Sequence, residues 1–183
     1  MRIVSGKWRG KRIVAPKTLP TRPTTDFGKE GLFNILSNRF YFEDLRVIDL
    51  FSGTGNICYE FASRGTLELT AVDISKECVR FISKTAEELG IEIQAVQADC
   101  LKWVQRNSTS FDIIFADPPY DYEFYEDLAR SIIERNMLSP GGTAILEHSE
   151  ETDLSHLPGF LEQRRYGNVN FSFFSRLEDL DNE

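Results

Sequence analysis

The sequence VIDLFSGTG occupies residues 47–55 and is the most informative stretch for the fold class. It begins as an apolar run interrupted only by Asp49 and ends in a turn that contains Gly53 and Gly55. Glycine lets the chain turn tightly and lets a ligand approach the backbone without meeting a Cβ atom. A strand that passes through such a turn into a helix is typical of the ligand-binding edge of an open α/β sheet.

Short apolar runs alternate with amphipathic stretches on the C-terminal side of this turn. The predicted strands cover residues 47–51, 67–72, 91–96, 112–116 and 143–147. The predicted helices cover residues 56–64, 75–89, 100–106 and 122–136. This alternation predicts parallel strands joined by right-handed crossovers.

The last part of the chain breaks this rhythm. Residues 160–166 and 169–176 are separated only by Gly167 and Asn168, which predicts an antiparallel hairpin. A terminal hairpin distinguishes the methyltransferase version of the Rossmann-like fold from the dehydrogenase version. The predicted fold class is therefore α/β, with a mostly parallel, seven-stranded sheet of the class I methyltransferase type.

Composition indicates one globular domain without a metal site. The chain has 183 residues, of which 41% are hydrophobic and 27% charged. It has neither an apolar run of roughly 20 residues nor a signal-peptide core, so we expect a soluble, cytoplasmic protein. Cys58, Cys78 and Cys100 are widely spaced, and His148 and His156 are the only histidines, so we expect reduced core thiols and no metal.

Charge is distributed unevenly along the chain. The net charge is −8, yet residues 1–25 hold seven basic and no acidic side chains, which leaves a net charge of −15 on residues 26–183. A basic arm on an acidic body predicts a local phosphate contact. Apolar residues at positions 3, 4, 8, 13 and 14 predict that this arm, Ile3 to Val14, folds as a half-buried hairpin. The expected RNA contacts are Arg2, Lys7, Trp8, Arg9, Lys11, Arg12 and Arg22.

A proline-containing linker over residues 17–25 joins the arm to the remainder of the chain. Asp26 at its end predicts a helix N-cap, because apolar residues follow at helical spacing. We therefore divide the chain into a basic arm and linker, residues 1–25, and a methyltransferase domain, residues 26–183.

Carboxylates at strand ends predict the kind of cofactor. Asp73 follows the second predicted strand, where it is placed to accept both hydroxyls of a ribose, and Asp99 follows the third, near an adenine amino group. Helix N-capping is the alternative role for each. Cys58 stands where a dinucleotide fingerprint has its third glycine, which favours S-adenosylmethionine, a cofactor without a pyrophosphate. The expected cofactor contacts are Asp49, Phe51, Gly53, Gly55, Asp73, Ile74, Ala98 and Asp99.

The tetrapeptide DPPY at residues 117–120 predicts the chemistry. It comprises Asp117, Pro118, Pro119 and Tyr120, directly after a predicted strand. The prolines stiffen the loop and donate no N–H, which leaves carbonyls available as acceptors. An exocyclic amine of a base is a weak nucleophile, and hydrogen bonds accepted by Asp117 and the Pro118 carbonyl would direct its lone pair. Tyr120 offers a surface for stacking an extruded base.

These features together resemble the RsmD-type 16S ribosomal RNA guanine-N2 methyltransferases. The resemblance covers nearly the whole chain: RIVSGKWRG at 2–10, RPTTD at 22–26 with Glu30, Leu32 and Phe33 after it, the glycine turn and the DPPY tetrapeptide. It departs from the family pattern at residues 27–29, where FGK replaces a more basic stretch.

The resemblance implies a guanine in small-subunit ribosomal RNA as the substrate, within an assembled or partly assembled subunit. It places Asp49, Gly53 and Gly55 at the methionine end of the cofactor. It places Asp117 and Tyr120 at the target base. We expect a monomer.

Three other functions stay open at this point. The first is an N6-adenine methyltransferase acting on DNA or RNA, although 183 residues leave little room for a DNA-recognition segment. The second is an RNA-binding protein that kept the cofactor fold without catalysis. The third, a nucleotide-dependent oxidoreductase, is disfavoured by Cys58 and the terminal hairpin.

Overall fold

A single mixed sheet forms the centre of the protein. The computed structural model describes residues 1–19 and 25–180, and within them seven strands have the order β3-β2-β1-β4-β5-β7-β6. The strands are β1 (Arg46–Leu50), β2 (Glu68–Asp73), β3 (Gln94–Gln97), β4 (Phe111–Ala116), β5 (Leu138–His148), β6 (Phe160–Tyr166) and β7 (Val169–Phe174). Strands β1 to β5 are parallel, and β7 is antiparallel to both β5 and β6. The predicted fold class and terminal hairpin are confirmed.

Helices connect the parallel strands as the sequence predicts. They are α1 (Asp26–Ser37), α2 (Asn56–Ser63), α3 (Lys76–Leu89), α4 (Cys100–Arg106), α5 (Tyr125–Glu134) and the short α6 (Leu177–Leu180), with a 3₁₀ turn at Phe42–Asp44. The predicted N-cap at Asp26 is wrong by one residue. Thr25 is the cap, because its side chain accepts a hydrogen bond from the backbone N–H of Gly28, and Asp26 is the first helical residue.

The two faces of the sheet bury separate apolar clusters. Val47 packs with α1 and α2, whereas its neighbour Ile48 packs with α4 and α5. Side chains of successive strand residues point to opposite faces, so helices on both faces require the near-continuous apolar strands seen here. Asp49 shares the face of Val47 and lies next to Cys58 of α2.

Strand register brings the site loops together. Leu50 of β1 pairs with Val72 of β2 and with Ala116 of β4, so these three strands end at the same level. Phe51 was predicted as the last residue of β1, but its φ of 61° takes it out of the strand. It instead begins the turn that leads to α2. The segments after all three strands therefore meet at one edge of the sheet.

The N-terminal arm folds back on itself and packs against α2. An antiparallel bridge joins Arg2 and Arg12, and the side chains of Ile3 and Ile13 are buried beside Tyr59. This agrees with the predicted hairpin except at Val14, which follows the buried Ile13 and is 86% exposed. The arm and the sheet domain are thus in direct contact.

No helix in the described part of the chain has the length and apolarity needed to cross a membrane. Residues 1–19 and 25–180 contain no group of histidine, cysteine and carboxylate side chains arranged to hold a metal ion. All three cysteines are buried and free, as the sequence predicts.

Candidate active site

A cavity of about 630 Å³ opens where β1, β2 and β4 end. This volume falls within the range of roughly 300–1,000 Å³ that small-molecule sites occupy. Ten of the predicted site residues line it: Asp49, Phe51, Gly53, Asp73, Ile74, Asp99, Asp117, Pro118, Pro119 and Tyr120. The structure therefore brings six of the eight predicted cofactor residues and all four predicted catalytic residues to the same cavity.

The glycine turn is tied to the end of β2. The backbone N–H and hydroxyl of Ser52 both donate to the carbonyl of Val72, at 3.0 and 3.1 Å. The N–H of Gly53 donates to Oδ2 of Asp73 at 2.8 Å. Gly55 has φ of 81° and caps α2, a left-handed conformation that favours glycine. These bonds give the turn one conformation beside the cavity.

Asp73 is held by backbone donors on both oxygens. Its Oδ1 accepts a hydrogen bond from the N–H of Ser75 at 2.8 Å, and its Oδ2 accepts the Gly53 bond. The N-cap of α3 is Ser75, whose hydroxyl accepts from the N–H of Cys78. The capping alternative for Asp73 is therefore wrong. Its carboxylate is fixed at the cavity wall instead.

Asp99 caps a helix and also lines the cavity. Its Oδ1 accepts a hydrogen bond from the N–H of Lys102 at 2.9 Å and so caps α4. The same residue lines the cavity. The capping alternative is correct for Asp99, and its contact with adenine stays a prediction.

Two predicted cofactor contacts do not line the cavity. A Cβ atom at Gly55 would lie 2.8 Å from the ring and hydroxyl of Tyr59 and 3.0 Å from Ile82, so this glycine faces the protein interior. The N–H of Ala98 donates to the carbonyl of Asp73, and its side chain packs against the apolar cluster around α4 and α5. Both residues shape the loops and lie behind the residues that face the cavity.

Asp49 is a carboxylate in a nearly dry environment. It is only 2% exposed, and burial raises its pKa well above the ordinary value, with a further increase from the nearby charges of Asp117 and Asp73. The thiol of Cys58 points at its Oδ2, at 3.8 Å. A buried carboxylate with two other carboxylates nearby favours a positively charged ligand. S-adenosylmethionine carries a sulfonium and an ammonium group, so this donor set fits the predicted cofactor.

The DPPY loop borders the same cavity. The N–H of Asp117 donates to the carbonyl of Leu50 at 3.4 Å, which attaches the loop to the end of β1. The Pro119 carbonyl accepts from the N–H of Tyr122 at 2.9 Å, so the expectation that both proline carbonyls are available is wrong for Pro119. Tyr120 is 50% exposed at the mouth of the cavity. It is accessible to a large substrate.

Several residues that line the cavity are not among those predicted from the sequence. Glu147, near the end of β5, could have been found by the rule that selected Asp73, since its strand neighbours β4. Tyr122 stacks edge-on against Phe51 at 5.1 Å and lies two residues beyond the tetrapeptide. Thr25 and Val169 line the cavity from distant parts of the chain, and no local pattern identifies them.

The basic arm begins beside this cavity. The hydroxyl of Thr54, which lines the cavity, donates to the sulfur of Met1 at 3.6 Å. Arg2 pairs with Asp26 at 3.1 Å, and the Lys7 ammonium lies 4.7 Å from the centre of the Trp8 ring. The predicted RNA contacts Arg9, Lys11 and Arg12 are exposed. Arg22 lies outside the described residues.

The fold and the site define a class I S-adenosylmethionine-dependent methyltransferase. Residues 1–175 match the family described as conserved hypothetical protein 95. The chain is 32% identical over 158 residues to ribosomal RNA small subunit methyltransferase D of Buchnera aphidicola subsp. Baizongia pistaciae, an alignment that covers 86% of this chain and 79% of that protein. The chain belongs to this family, that of ribosomal RNA small subunit methyltransferase D.

Solved structures agree with this assignment. The putative methyltransferase yhhF from Escherichia coli superimposes with a TM-score of 0.84 at 25% identity, over 96% of this chain and 97% of that one. A Thermus thermophilus 16S rRNA N2 methyltransferase, solved with AdoMet and guanosine, gives a TM-score of 0.66 at 22% identity. That alignment covers 86% of this chain and 45% of the other, and at this identity it shows a shared fold.

Proposed function

We propose that this protein transfers a methyl group from S-adenosylmethionine to the exocyclic N2 amine of a guanine in small-subunit ribosomal RNA. One observation carries the proposal: the Asp117–Tyr120 loop lines the same cavity as Gly53 and Asp73. The choice of substrate is supported by the relative of this chain in Buchnera, which is named as a small-subunit ribosomal RNA methyltransferase.

The cofactor half of the cavity assigns roles to the residues around the glycine turn. Asp73 would accept hydrogen bonds from the ribose hydroxyls, and Asp99 would accept one from the adenine amino group. Asp49 and Gly53 would border the methionine end, and Phe51 and Ile74 would supply apolar walls. When bound, S-adenosylmethionine supplies an electrophilic methyl group on a sulfonium.

The other half of the cavity would hold the target amine. The Asp117 carboxylate and the Pro118 carbonyl would each accept a hydrogen bond from one N–H of the amine, while Pro119 stiffens the loop directly after them. This arrangement directs the nitrogen lone pair and stabilises the positive charge that develops on nitrogen during transfer. Asp117 would take up the proton that the amine loses. Tyr120 would stack on the base, which contributes roughly 1–3 kcal/mol.

The basic arm would contact the RNA backbone. In this proposal residues 1–25 bind phosphates through Arg2, Lys7, Arg9, Lys11, Arg12 and Arg22, with Trp8 beside them, and residues 26–183 hold the cofactor and the base. We further propose an assembled or partly assembled small subunit as the substrate, a monomeric enzyme, no metal requirement and a cytoplasmic location.

The decisive experiment identifies the modified nucleoside. Purified protein is incubated with labelled S-adenosylmethionine and, in parallel, small subunits lacking base methylation, naked ribosomal RNA and DNA. We expect N2-methylguanosine from the subunit arm. N6-methyladenine from any arm would replace this proposal with the adenine alternative, and cofactor binding without transfer to any substrate would favour the non-catalytic one.

A further inference from the structure

Two oppositely charged side chains outside the cavity are completely buried. Lys29 of α1 and Glu60 of α2 each have 0% side-chain exposure, and Lys29 Nζ lies 3.3 Å from Glu60 Oε2. Removing two charges from water is costly, and a buried ion pair is often no more stabilising than an apolar pair of the same size. Stability alone is therefore a weak reason for this pair. Its other hydrogen bonds point to a different role.

Both charged groups bind the backbone of the N-terminal arm. The N–H of Val4 donates to Glu60 Oε2 at 2.9 Å, and the N–H of Ser5 donates to Glu60 Oε1 at 3.0 Å. Lys29 Nζ donates to the carbonyl of Arg2. Arg64 donates to Glu60 Oε1 at 3.0 Å and keeps the carboxylate in place. One ion pair thus holds three backbone groups of the arm.

Ser63, one turn further along α2, continues this attachment. Its hydroxyl donates to the carbonyl of Ser5 at 2.6 Å and accepts from the N–H of Trp8 at 3.0 Å, and its carbonyl accepts from the N–H of Lys7 at 2.7 Å. The arm lies so close to the helix that a Cβ atom at Gly6 would be 1.8 Å from the Ser63 carbonyl oxygen. The segment from Arg2 to Trp8 is therefore bound along α2.

The same ion pair also reaches the cavity wall. Lys29 Nζ donates to Oδ1 of Asn56 at 2.9 Å, and Asn56 is the first residue of α2 and lines the cavity. The groups that hold the arm are thus attached to the helix that begins at the glycine turn. The Lys29–Asn56 hydrogen bond therefore fixes the position of the arm relative to the cavity.

We propose that Lys29 and Glu60 are positioning residues for RNA recognition, which hold the basic arm in one conformation beside the active site before RNA arrives. The inference rests on the proposed function, since it assigns the arm to RNA. An arm that is already ordered loses less conformational entropy on binding, so its basic side chains contribute more affinity. Neither residue is expected to touch the RNA.

Two kinds of variant test this role. Lys29→Met with Glu60→Gln removes both charges together and keeps similar volumes, so neither partner is left as a fully buried, unpaired charge. The amide oxygen that replaces the carboxylate can still accept from Arg64, whose side chain is 13% exposed. Gly6→Ala forces the arm away from Ser63 without altering the ion pair. Gly10→Ala is its matched control, because Gly10 also has a left-handed φ, of 82°, but nothing lies within 4 Å of its added Cβ.

The measurements separate positioning from general stability. We expect the double variant and Gly6→Ala to bind ribosomal RNA about tenfold more weakly than wild type. This loss corresponds to the entropy lost when one or two long side chains of a mobile arm become ordered on binding. The slope of log affinity against log salt should be smaller, by about 0.7 for each phosphate of single-stranded RNA that the arm no longer neutralises. S-adenosylmethionine affinity should stay within about twofold, and trypsin should cleave the arm near Lys7 faster than in wild type.

Each outcome supports or overturns the inference. Unchanged RNA affinity and trypsin resistance in the double variant and in Gly6→Ala would overturn it, as would an equal loss of RNA affinity in Gly10→Ala. If one variant fails to fold, as judged by cofactor binding, the other decides. If wild-type protein neither binds nor methylates ribosomal RNA, the proposed function fails. The trypsin comparison still reports on arm attachment in that case.

Discussion

The N–H of Gly53 donates to Oδ2 of Asp73 at the wall of the cavity, at 2.8 Å. This bond joins the turn after β1 to the end of β2, two segments that lie 20 residues apart in the chain. Because the N–H of Ser75 occupies the other oxygen of Asp73, the carboxylate cannot rotate away from the cavity without losing both bonds. The cofactor side of the site is therefore preformed.

Replacing Asp73 should disable cofactor binding. In Asp73→Ala, the acceptor for the ribose and the bond that holds Gly53 disappear together. A hydrogen bond to a charged group contributes roughly 1.5–3 kcal/mol, so the loss of one such bond lowers affinity by about 10- to 100-fold, and affinity for S-adenosylmethionine should fall by at least this much. Isothermal titration calorimetry measures this directly. Glu87→Ala, an exposed carboxylate on α3, is the control, and equal affinity in the two variants would remove Asp73 from the binding site.

Asp117 should be needed for transfer and dispensable for cofactor binding. Loss of a preorganised group that stabilises developing charge lowers kcat by about 100- to 1,000-fold. We expect this range for Asp117→Ala, with S-adenosylmethionine affinity largely retained. Single-turnover methylation and calorimetry on the same preparation test both parts. Asp121→Ala, an exposed carboxylate four positions further on, should behave as wild type. Weakened cofactor binding in Asp117→Ala would instead assign Asp117 to the cofactor half.

Tyr120 should act through its ring. Tyr120→Ala removes the stacking surface, so KM for the RNA substrate should rise by about tenfold, which lies within the 1–3 kcal/mol range for base stacking. Tyr120→Phe keeps the ring and should stay close to wild type. Tyr41→Ala, which removes an aromatic side chain that is 86% exposed, is the control for loss of a surface ring. A Phe variant as impaired as the Ala variant would point to the hydroxyl.

Ionisation of Asp49 should lower the stability of the folded protein as pH rises. Its pKa is raised by burial and by Asp117 and Asp73, so the folded state binds its proton more tightly than the unfolded state does. This contribution stabilises the fold at low pH and is lost as pH rises from the ordinary value of 3.8 through the raised pKa. Asp49→Asn, which is neutral throughout, should therefore gain stability over wild type as pH increases.

Urea unfolding of both proteins without cofactor, at pH 5 and pH 8, tests this sign. The stability difference in favour of Asp49→Asn should be larger at pH 8, and S-adenosylmethionine should bind the variant more weakly because the anionic partner of its positive charge is gone. A variant that is less stable than wild type at pH 8 would show that ionised Asp49 has a compensating partner in the folded protein.

Local sequence predicted most of the fold. Strand and helix patterns are local, since side chains alternate every two residues in a strand and repeat every 3.6 in a helix. The observed strand boundaries differ from the predicted ones where tertiary packing outweighs the local hydrophobic pattern. Ile91 and Ile93 are apolar and were predicted to lie in β3. The strand instead begins at Gln94, and both isoleucine side chains pack against the N-terminal arm and α3.

The candidate site was predicted where its residues follow strand ends. Asp73, Asp99 and Asp117 could be placed because parallel strands end at one edge of a sheet. Gly55 and Ala98 were misplaced because sequence proximity to a site does not say which way a residue faces. Thr25 and Val169 were missed because they reach the cavity through the packing of α1 against β7, which joins residues far apart in the chain.

The amino-acid sequence is sufficient for the fold class, the order of the βα units and the chemistry of the DPPY loop, because each depends on residue types within a short stretch of chain. The attachment of the arm to α2 needed the folded structure. Lys29 and Glu60 are 31 positions apart and look like ordinary surface charges on two amphipathic helices. Their burial follows from three segments packing together, and such long-range packing leaves no local pattern in the sequence.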